Sequence, residues 1–71
     1  MKDKRIAFVG IGRMGSNMAR HLKDQGYTIS AVSDVSAELS KAVADELGAK
    51  ACSTLAEVTA AADVIITVVS D

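Results

Sequence analysis

The chain has 71 residues, of which 49% are hydrophobic and only 3% aromatic, and its formal net charge is -1. Because both signs of charge are interspersed, a nucleic-acid partner is not expected, and no apolar run reaches the roughly 20 residues that span a bilayer. The single cysteine excludes an internal disulfide, and no cluster of histidine and cysteine predicts a metal site. The composition indicates one small α/β domain of a reducing, cytoplasmic compartment.

The first predicted element is a strand, because Ile6–Val9 is a continuous apolar run of the kind that a parallel sheet buries on both faces. A helix follows over residues 13–25. Within it, Met14, Met18 and Leu22 recur every four residues and, with Ala19 beside them, form an apolar stripe. We therefore expect Met14 to lie in the core.

A second strand and a second helix come next. Tyr27–Val32 is rich in β-forming residues. Ser36 is a residue type that caps helices, Leu39 begins an apolar stripe with a spacing of four residues, and Gly48 fits a helix end. The second helix is therefore predicted between Ser36 and Gly48.

The last part of the chain predicts two strands with a short helix between them. Ala49–Cys52 is a brief strand candidate, and Thr54–Glu57 matches a capping box at the start of an alanine-rich helix. Asp63 ends that helix. Val64–Val69 is the most strongly β-forming segment of the chain.

This alternation of strands and helices predicts a parallel sheet with right-handed crossovers and helices on both faces. In a doubly wound sheet the four strands would take the spatial order 3-2-1-4. The fourth strand would then be an apolar edge without a neighbour, and such edges pair with other chains. We therefore expect either a homo-oligomer formed through this edge or further segments of a longer protein beside it.

A G-x-G-x-x-G motif directly follows the first strand and opens the first helix. Its first glycine permits a sharp turn, its second lets a diphosphate approach the backbone, and its third lets the helix pack close to the sheet. The helix N-terminus behind the turn favours an anion. The predicted diphosphate loop consists of Gly10, Ile11, Gly12, Arg13, Met14 and Gly15, with Arg13 expected to be exposed. A tight turn without a ligand is the alternative interpretation of this loop.

Asp34 lies 19 residues beyond Gly15, where the second strand ends. A carboxylate at this place accepts hydrogen bonds from the adenosine ribose and repels the 2′-phosphate of NADP. Because Val35 and Ser36 follow and no arginine does, the sequence favours NAD over NADP. The alternative is that Asp34 only ends a strand and caps a turn.

No catalytic residue is predicted within the chain. His21 lies in the first helix beside two basic residues and is expected at the surface. Cys52 has no basic partner nearby in sequence and is expected to be a small, partly buried residue. No Ser/His/Asp or Cys/His arrangement is present.

Several motifs together resemble the β-hydroxyacid dehydrogenases, a family that includes 3-hydroxyisobutyrate dehydrogenase, tartronate semialdehyde reductase and 6-phosphogluconate dehydrogenase. The resemblance begins with F-V-G-I-G-R-M-G at residues 8–15, followed by N-M-A at residues 17–19. It continues through S-D-V-S at residues 33–36, Gly-Ala at residues 48–49 and A-A-D-V-I-I-T-V-V-S-D at residues 61–71. Many members have proline where this chain has Ser70.

The resemblance implies that residues 1–71 are the N-terminal portion of a Rossmann dinucleotide-binding domain whose parent enzyme transfers hydride between NAD and a small β-hydroxy acid. It also implies that Val68, Val69 and Ser70 contact the nicotinamide half of the cofactor. The family's Ser-Gly-Gly motif and catalytic lysine lie beyond residue 71, so the chain alone is expected to be inactive.

Other interpretations remain open. One is a non-catalytic nucleotide-binding or self-associating Rossmann fragment, and another is a fragment without affinity for any ligand. A third is an NADP-linked pyrroline-carboxylate or imine reductase, which has a similar opening sequence. Asp34 without a following arginine counts against the third.

Overall fold

A computed structural model describes residues 3–68 and shows seven elements in strict alternation. The strands are parallel and lie in the order β3-β2-β1-β4, as predicted. The elements in chain order are β1 Arg5–Val9, α1 Gly12–Asp24, β2 Thr28–Ser33, α2 Ala37–Leu47, β3 Lys50–Ala51, α3 Leu55–Ala61 and β4 Val64–Thr67.

The central strand β1 pairs with β2 on one side and with β4 on the other. Phe8 lies opposite Val32 of β2 and opposite Ile66 of β4. Asp63, which was predicted only to end a helix, also fixes the start of β1, because its carboxylate accepts hydrogen bonds from the backbone N–H and the guanidinium of Arg5. At the other end, Val9 is paired with Ser33 of β2 and with Thr67 of β4, so the three strands end together at one edge of the sheet.

Helices cover both faces of the sheet, as predicted. On one face Phe8 packs in a cluster with Ala19 of α1 and Val43 of α2. On the other face the neighbouring Ala7 packs in a second cluster with Val58 of α3. Because successive side chains of a strand point to opposite faces, adjacent residues of β1 serve the two layers.

The prediction that Met14 lies in the core is wrong. Its side chain is 68% exposed and that of Met18 is 40% exposed, whereas the buried residues of α1 are Gly15, Ser16 and Ala19. These small residues let the helix backbone approach the sheet closely. The bulky methionines therefore lie outside the buried face, whereas Ala19 is buried and Leu22 packs against the same core cluster.

The helix caps agree with the sequence patterns. The Ser36 hydroxyl accepts a hydrogen bond from the N–H of Leu39 at 3.3 Å, and Gly48 ends α2 in the left-handed conformation. The Thr54 hydroxyl accepts a hydrogen bond from the N–H of Glu57 at 3.2 Å. The Glu57 carboxylate reaches back to the N–H of Ser53 rather than to that of Thr54.

The bounds of the strands differ from the predicted ones by a few residues. The third strand is Lys50–Ala51 and not the four residues 49–52. The fourth ends at Thr67, although the N–H of Val68 still donates to the carbonyl of Val9 at 2.8 Å. The predicted strand residue Val69 lies outside the described residues.

Within residues 3–68, no helix has both the length and the hydropathy that a membrane-spanning helix requires.

Candidate functional site

The turn between β1 and α1 depends on Gly10. This residue has φ +75°, and its N–H donates to the carbonyl of Ser33 at 2.9 Å, which joins the turn to the end of β2. A Cβ at this position would lie 2.4 Å from the carbonyl oxygen of Val68. Only glycine combines this conformation with so close an approach of a neighbouring backbone.

Gly15 lets α1 pack against the same place. A Cβ on Gly15 would lie 3.1 Å from the Gly10 carbonyl oxygen and 3.4 Å from the Val68 side chain. The Ser16 hydroxyl donates to the carbonyl of Gly12 at 2.6 Å and stabilises the first turn of the helix. The first and third glycines of the motif therefore have the structural roles that were predicted for them.

The Asp34 carboxylate is directed at the glycine turn. One oxygen accepts a hydrogen bond from the N–H of Ile11 at 2.6 Å, and the other accepts one from the N–H of Ser36 at 2.9 Å. The second contact is the turn-capping role considered as an alternative. The first contact crosses between the end of β2 and the start of α1, and nothing in the sequence pattern predicted it.

These contacts stabilise the ionised form of Asp34. The N–H of Ser36 is the largest cause that lowers the pKa of this carboxyl, and the N–H groups of Ile11, Gly12 and Val35 lower it further against an opposing effect of burial. Asp34 is therefore a carboxylate at neutral pH and places a fixed negative charge beside the turn.

A cavity of about 380 Å³ opens above this carboxylate, within the size range of small-molecule sites. It lies at the carboxyl ends of the strands, where open α/β sheets bind their ligands. It is lined by Val9, Gly10, Ser33, Asp34, Val35 and Ser53. The sequence pattern predicted Ser53 only as a turn residue, although its place just beyond the third predicted strand was a signal for this edge of the sheet.

The structure brings some predicted site residues to the turn and leaves others apart. Ile11 engages Asp34 through its N–H, but its side chain is fully buried in the core. Arg13 is exposed, as expected, and Met14 is also exposed. Val68 lies against Gly10. Val69 and Ser70 lie outside the described residues.

The two side chains set aside as non-catalytic are also placed. His21 is exposed on α1. Cys52 is 4% exposed, more deeply buried than the partial burial expected, and burial raises the pKa of its thiol. Neither lines the cavity described above.

The fold has a counterpart among solved structures. This chain superimposes on UDP-N-acetylglucosamine 3-dehydrogenase GnnA from Acidithiobacillus ferrooxidans, in each of two crystal forms, with a TM-score of 0.83 at 25% sequence identity. The match covers 94% of this chain and 22% of that one. A match over this share of the chain supports a Rossmann-type α/β fold.

The sequence also has a curated relative and a matching family model. The chain is 39% identical over 66 residues to 2-(hydroxymethyl)glutarate dehydrogenase of Eubacterium barkeri, a match that spans 93% of the chain but only 21% of that relative. The model for the NAD binding domain of 6-phosphogluconate dehydrogenase matches residues 5–71. With the glycine turn and its facing carboxylate, these matches show that the chain belongs to the 6-phosphogluconate dehydrogenase NAD-binding domain family.

Proposed function

We propose that the chain binds NAD and forms the N-terminal portion of the cofactor domain of a longer oxidoreductase. That enzyme would transfer hydride between NAD and a small β-hydroxy acid. The observation that carries the proposal is the hydrogen bond from the Ile11 N–H to the Asp34 carboxylate, because it joins the glycine turn to an acid at the end of the next strand. The two halves of a dinucleotide signature thus lie within one hydrogen bond of each other.

The glycine turn would hold the diphosphate. The first turn of α1 contains no acidic residue, and its N-cap residue, Ile11, has no polar side chain with which to satisfy the backbone N–H groups. Such a terminus attracts a negatively charged group through its free N–H groups and its dipole. Arg13, exposed at the start of the helix, would add a positive charge near the same anion.

Asp34 would bind the adenosine ribose. An ionised carboxylate has about four lone-pair positions, and the N–H groups of Ile11 and Ser36 each occupy one. The N–H groups of Gly12 and Val35 also stabilise its charge, so the ribose hydroxyls would share this carboxylate with backbone donors. A 2′-phosphate would bring like charge against this carboxylate, which supports NAD rather than NADP.

The other half of the cofactor would lie toward the end of β4, where the proposal assigns Val68, Val69 and Ser70. When bound, NAD supplies an acceptor for hydride from the carbon that bears the substrate hydroxyl. The name of the Eubacterium barkeri relative describes a dehydrogenase of a hydroxymethyl-bearing acid, which is a β-hydroxy acid. That name supports this substrate class for the longer enzyme.

The cofactor assignment is tested by titrating the chain with NAD and NADP while the amide signals of the glycine turn are followed by NMR. NAD should bind more tightly, and Asp34→Asn should weaken NAD binding by about tenfold, the effect of one charge-assisted hydrogen bond. Asp45→Asn removes an exposed charge from α2 and should leave both affinities unchanged. Equal binding of both cofactors by the unmodified chain would contradict the assignment.

The proposed dehydrogenase chemistry of the longer enzyme is tested by sequencing the DNA that follows codon 71. A Ser-Gly-Gly motif and a later helix that carries lysine are expected there. Their absence would leave a nucleotide-binding domain without the proposed chemistry.

Self-association through β4 remains a separate prediction. Ile65 on this strand is 39% exposed, and β4 forms an edge of the sheet described for residues 3–68. Light scattering of the purified chain at increasing concentration would reveal a dimer, whereas a monomer at every concentration would contradict the prediction.

A further inference from the structure

Ser53 forms one wall of the cavity and is tied to a charged partner outside it. Its hydroxyl donates a hydrogen bond to the Glu57 carboxylate at 2.8 Å. Its backbone N–H donates to the same carboxylate oxygen at 3.2 Å. The serine is therefore held in place by two contacts to one neighbour.

The chemistry of Glu57 fixes the direction of the Ser53 proton. The hydroxyl and then the N–H of Ser53 are the main causes that lower the pKa of Glu57, and the Thr54 hydroxyl and the charge of Lys50 add to them against an opposing effect of burial. Glu57 is therefore ionised at neutral pH. An ionised carboxylate only accepts hydrogen bonds, so the Ser53 hydroxyl must be the donor of this pair.

A hydroxyl whose single proton is engaged can only accept further hydrogen bonds. The remaining lone pairs of the Ser53 oxygen are consequently available to a donor in the cavity. A carbonyl oxygen placed there would meet another acceptor, and the Ser53 proton would have to leave the Glu57 carboxylate to reach it.

The order of the strands places Ser53 where the nucleobase would lie. In the proposed function the diphosphate lies at the end of β1 and the ribose lies at Asp34, at the end of β2. Ser53 follows β3, which pairs with β2 on the side away from β1. The group attached to the ribose therefore extends toward the wall that Ser53 and Val35 form.

We propose that Ser53 makes the base subsite selective for a base with an exocyclic amino group, such as adenine, over one with a carbonyl oxygen at the same position, such as hypoxanthine. This inference rests on the proposed function, because it assumes that the cavity holds the adenosine half of NAD. It assigns a specificity-determining role to Ser53, which belongs neither to the glycine motif nor to the acidic position at Asp34.

The test compares the affinities of NAD and of nicotinamide hypoxanthine dinucleotide, in which a carbonyl oxygen replaces the amino group at C6 and the adjacent N1 carries a proton, so the contribution of Ser53 is given by the change of this ratio in the Ser53 variants. The unmodified chain should bind NAD about 3- to 10-fold more tightly, the effect of gaining one hydrogen bond instead of opposing two acceptors. Ser53→Ala should reduce this ratio to about 1, and Ser53→Thr, which keeps a hydroxyl, should preserve it. Ser33→Ala removes another serine that lines the cavity and should also preserve the ratio.

The outcomes separate this inference from the proposed function. If both dinucleotides bind equally well, or if Ser53→Ala retains the preference, the role of Ser53 is refuted while NAD binding stands. A preference that disappears in Ser33→Ala and survives in Ser53→Ala refutes it in the same way. If neither dinucleotide binds, the proposed function and this inference both fail.

Discussion

Substitution of Gly10 by alanine should remove most of the free energy of unfolding of the chain, because two costs add at this position. With φ at +75°, an L-residue loses about 1–2 kcal/mol. The new Cβ would also lie 2.4 Å from the carbonyl oxygen of Val68. Val68 cannot yield freely, since its N–H is bonded to Val9 of the central strand. Such overpacking typically costs about 1–3 kcal/mol.

The sum of about 3 kcal/mol is comparable with the whole stability that so small a core supplies, roughly 3–5 kcal/mol. Gly48→Ala is the matched control. Gly48 has φ +69°, but the nearest atom to its Cβ position is the Lys23 Nζ at 3.7 Å, an ordinary contact. This variant should lose only the conformational cost, about 1–2 kcal/mol.

Urea unfolding followed by circular dichroism measures both losses. The midpoint for Gly10→Ala should lie well below that for Gly48→Ala, with a difference of about 2 kcal/mol in the free energy of unfolding. Equal losses in the two variants would refute the steric argument, because both glycines have a similar positive φ, whereas only Gly10 has a backbone oxygen against its Cβ position.

Three further predictions concern charge, packing and capping. The folded-state pKa values of Asp34 and Asp63 lie below their unfolded values, so both carboxylates stabilise the fold above about pH 4 and lose this effect as the pH falls through the folded pKa values. Urea unfolding should therefore give a lower free energy of unfolding at pH 3 than at pH 6, and equal values would contradict this prediction. Met14→Ala should change the free energy of unfolding by less than about 0.5 kcal/mol, whereas Leu47→Ala, at a site only 3% exposed, should lower it by about 2–5 kcal/mol. Comparable losses in the two variants would show that the Met14 side chain is buried. Thr54→Ala should cost about 1 kcal/mol through loss of the α3 cap, and an unchanged thermal midpoint would count against the capping role.

The order of the elements could be predicted because several local signals agreed. The apolar run before Gly10 indicated a buried strand, and Ser36, Gly48 and Thr54 marked helix ends through backbone chemistry that depends on few neighbours. Alternation of strand and helix then restricted the topology to a parallel sheet with one hand of crossover. Local and global signals are consistent in this chain, and the predicted strand order is confirmed.

The interpretation of α1 was wrong for Met14 and Met18, although Ala19 and Leu22 do pack in the core, and spacing cannot reveal the reason. Met14, Met18 and Leu22 have helical periodicity, but the row that contains Gly15 and Ala19 has it too. A search for bulky apolar residues selects the first row, whereas close packing against a sheet favours the second. The Cβ position of Gly15, 3.1 Å from the Gly10 carbonyl oxygen, decides between them, and that distance exists only after the turn has folded.

Features of the candidate site that depend on a single residue and its own backbone could be predicted from the sequence. Features that depend on contacts between distant segments could not. The glycine motif and the distance to Asp34 gave the two halves of the dinucleotide signature. The hydrogen bond from Ile11 to Asp34 spans 23 positions of sequence. The approach of Ser53 to the same cavity likewise depends on the pairing of β3 with β2. Contacts of both kinds follow from topology and not from motif spacing.

In the proposed function, Asp34 would affect the cost of ligand binding as well as the specificity for NAD. Its carboxylate already holds the N–H groups of Ile11 and Ser36 without a ligand, so the turn and the acid are fixed relative to each other in the free chain. Ribose hydroxyls would approach a carboxylate whose position these backbone contacts have already set. A site ordered in this way loses less conformational entropy when it binds. The same contacts imply that replacement of Asp34 loosens the turn itself, so that NAD affinity should fall even for a variant that keeps one ribose hydrogen bond.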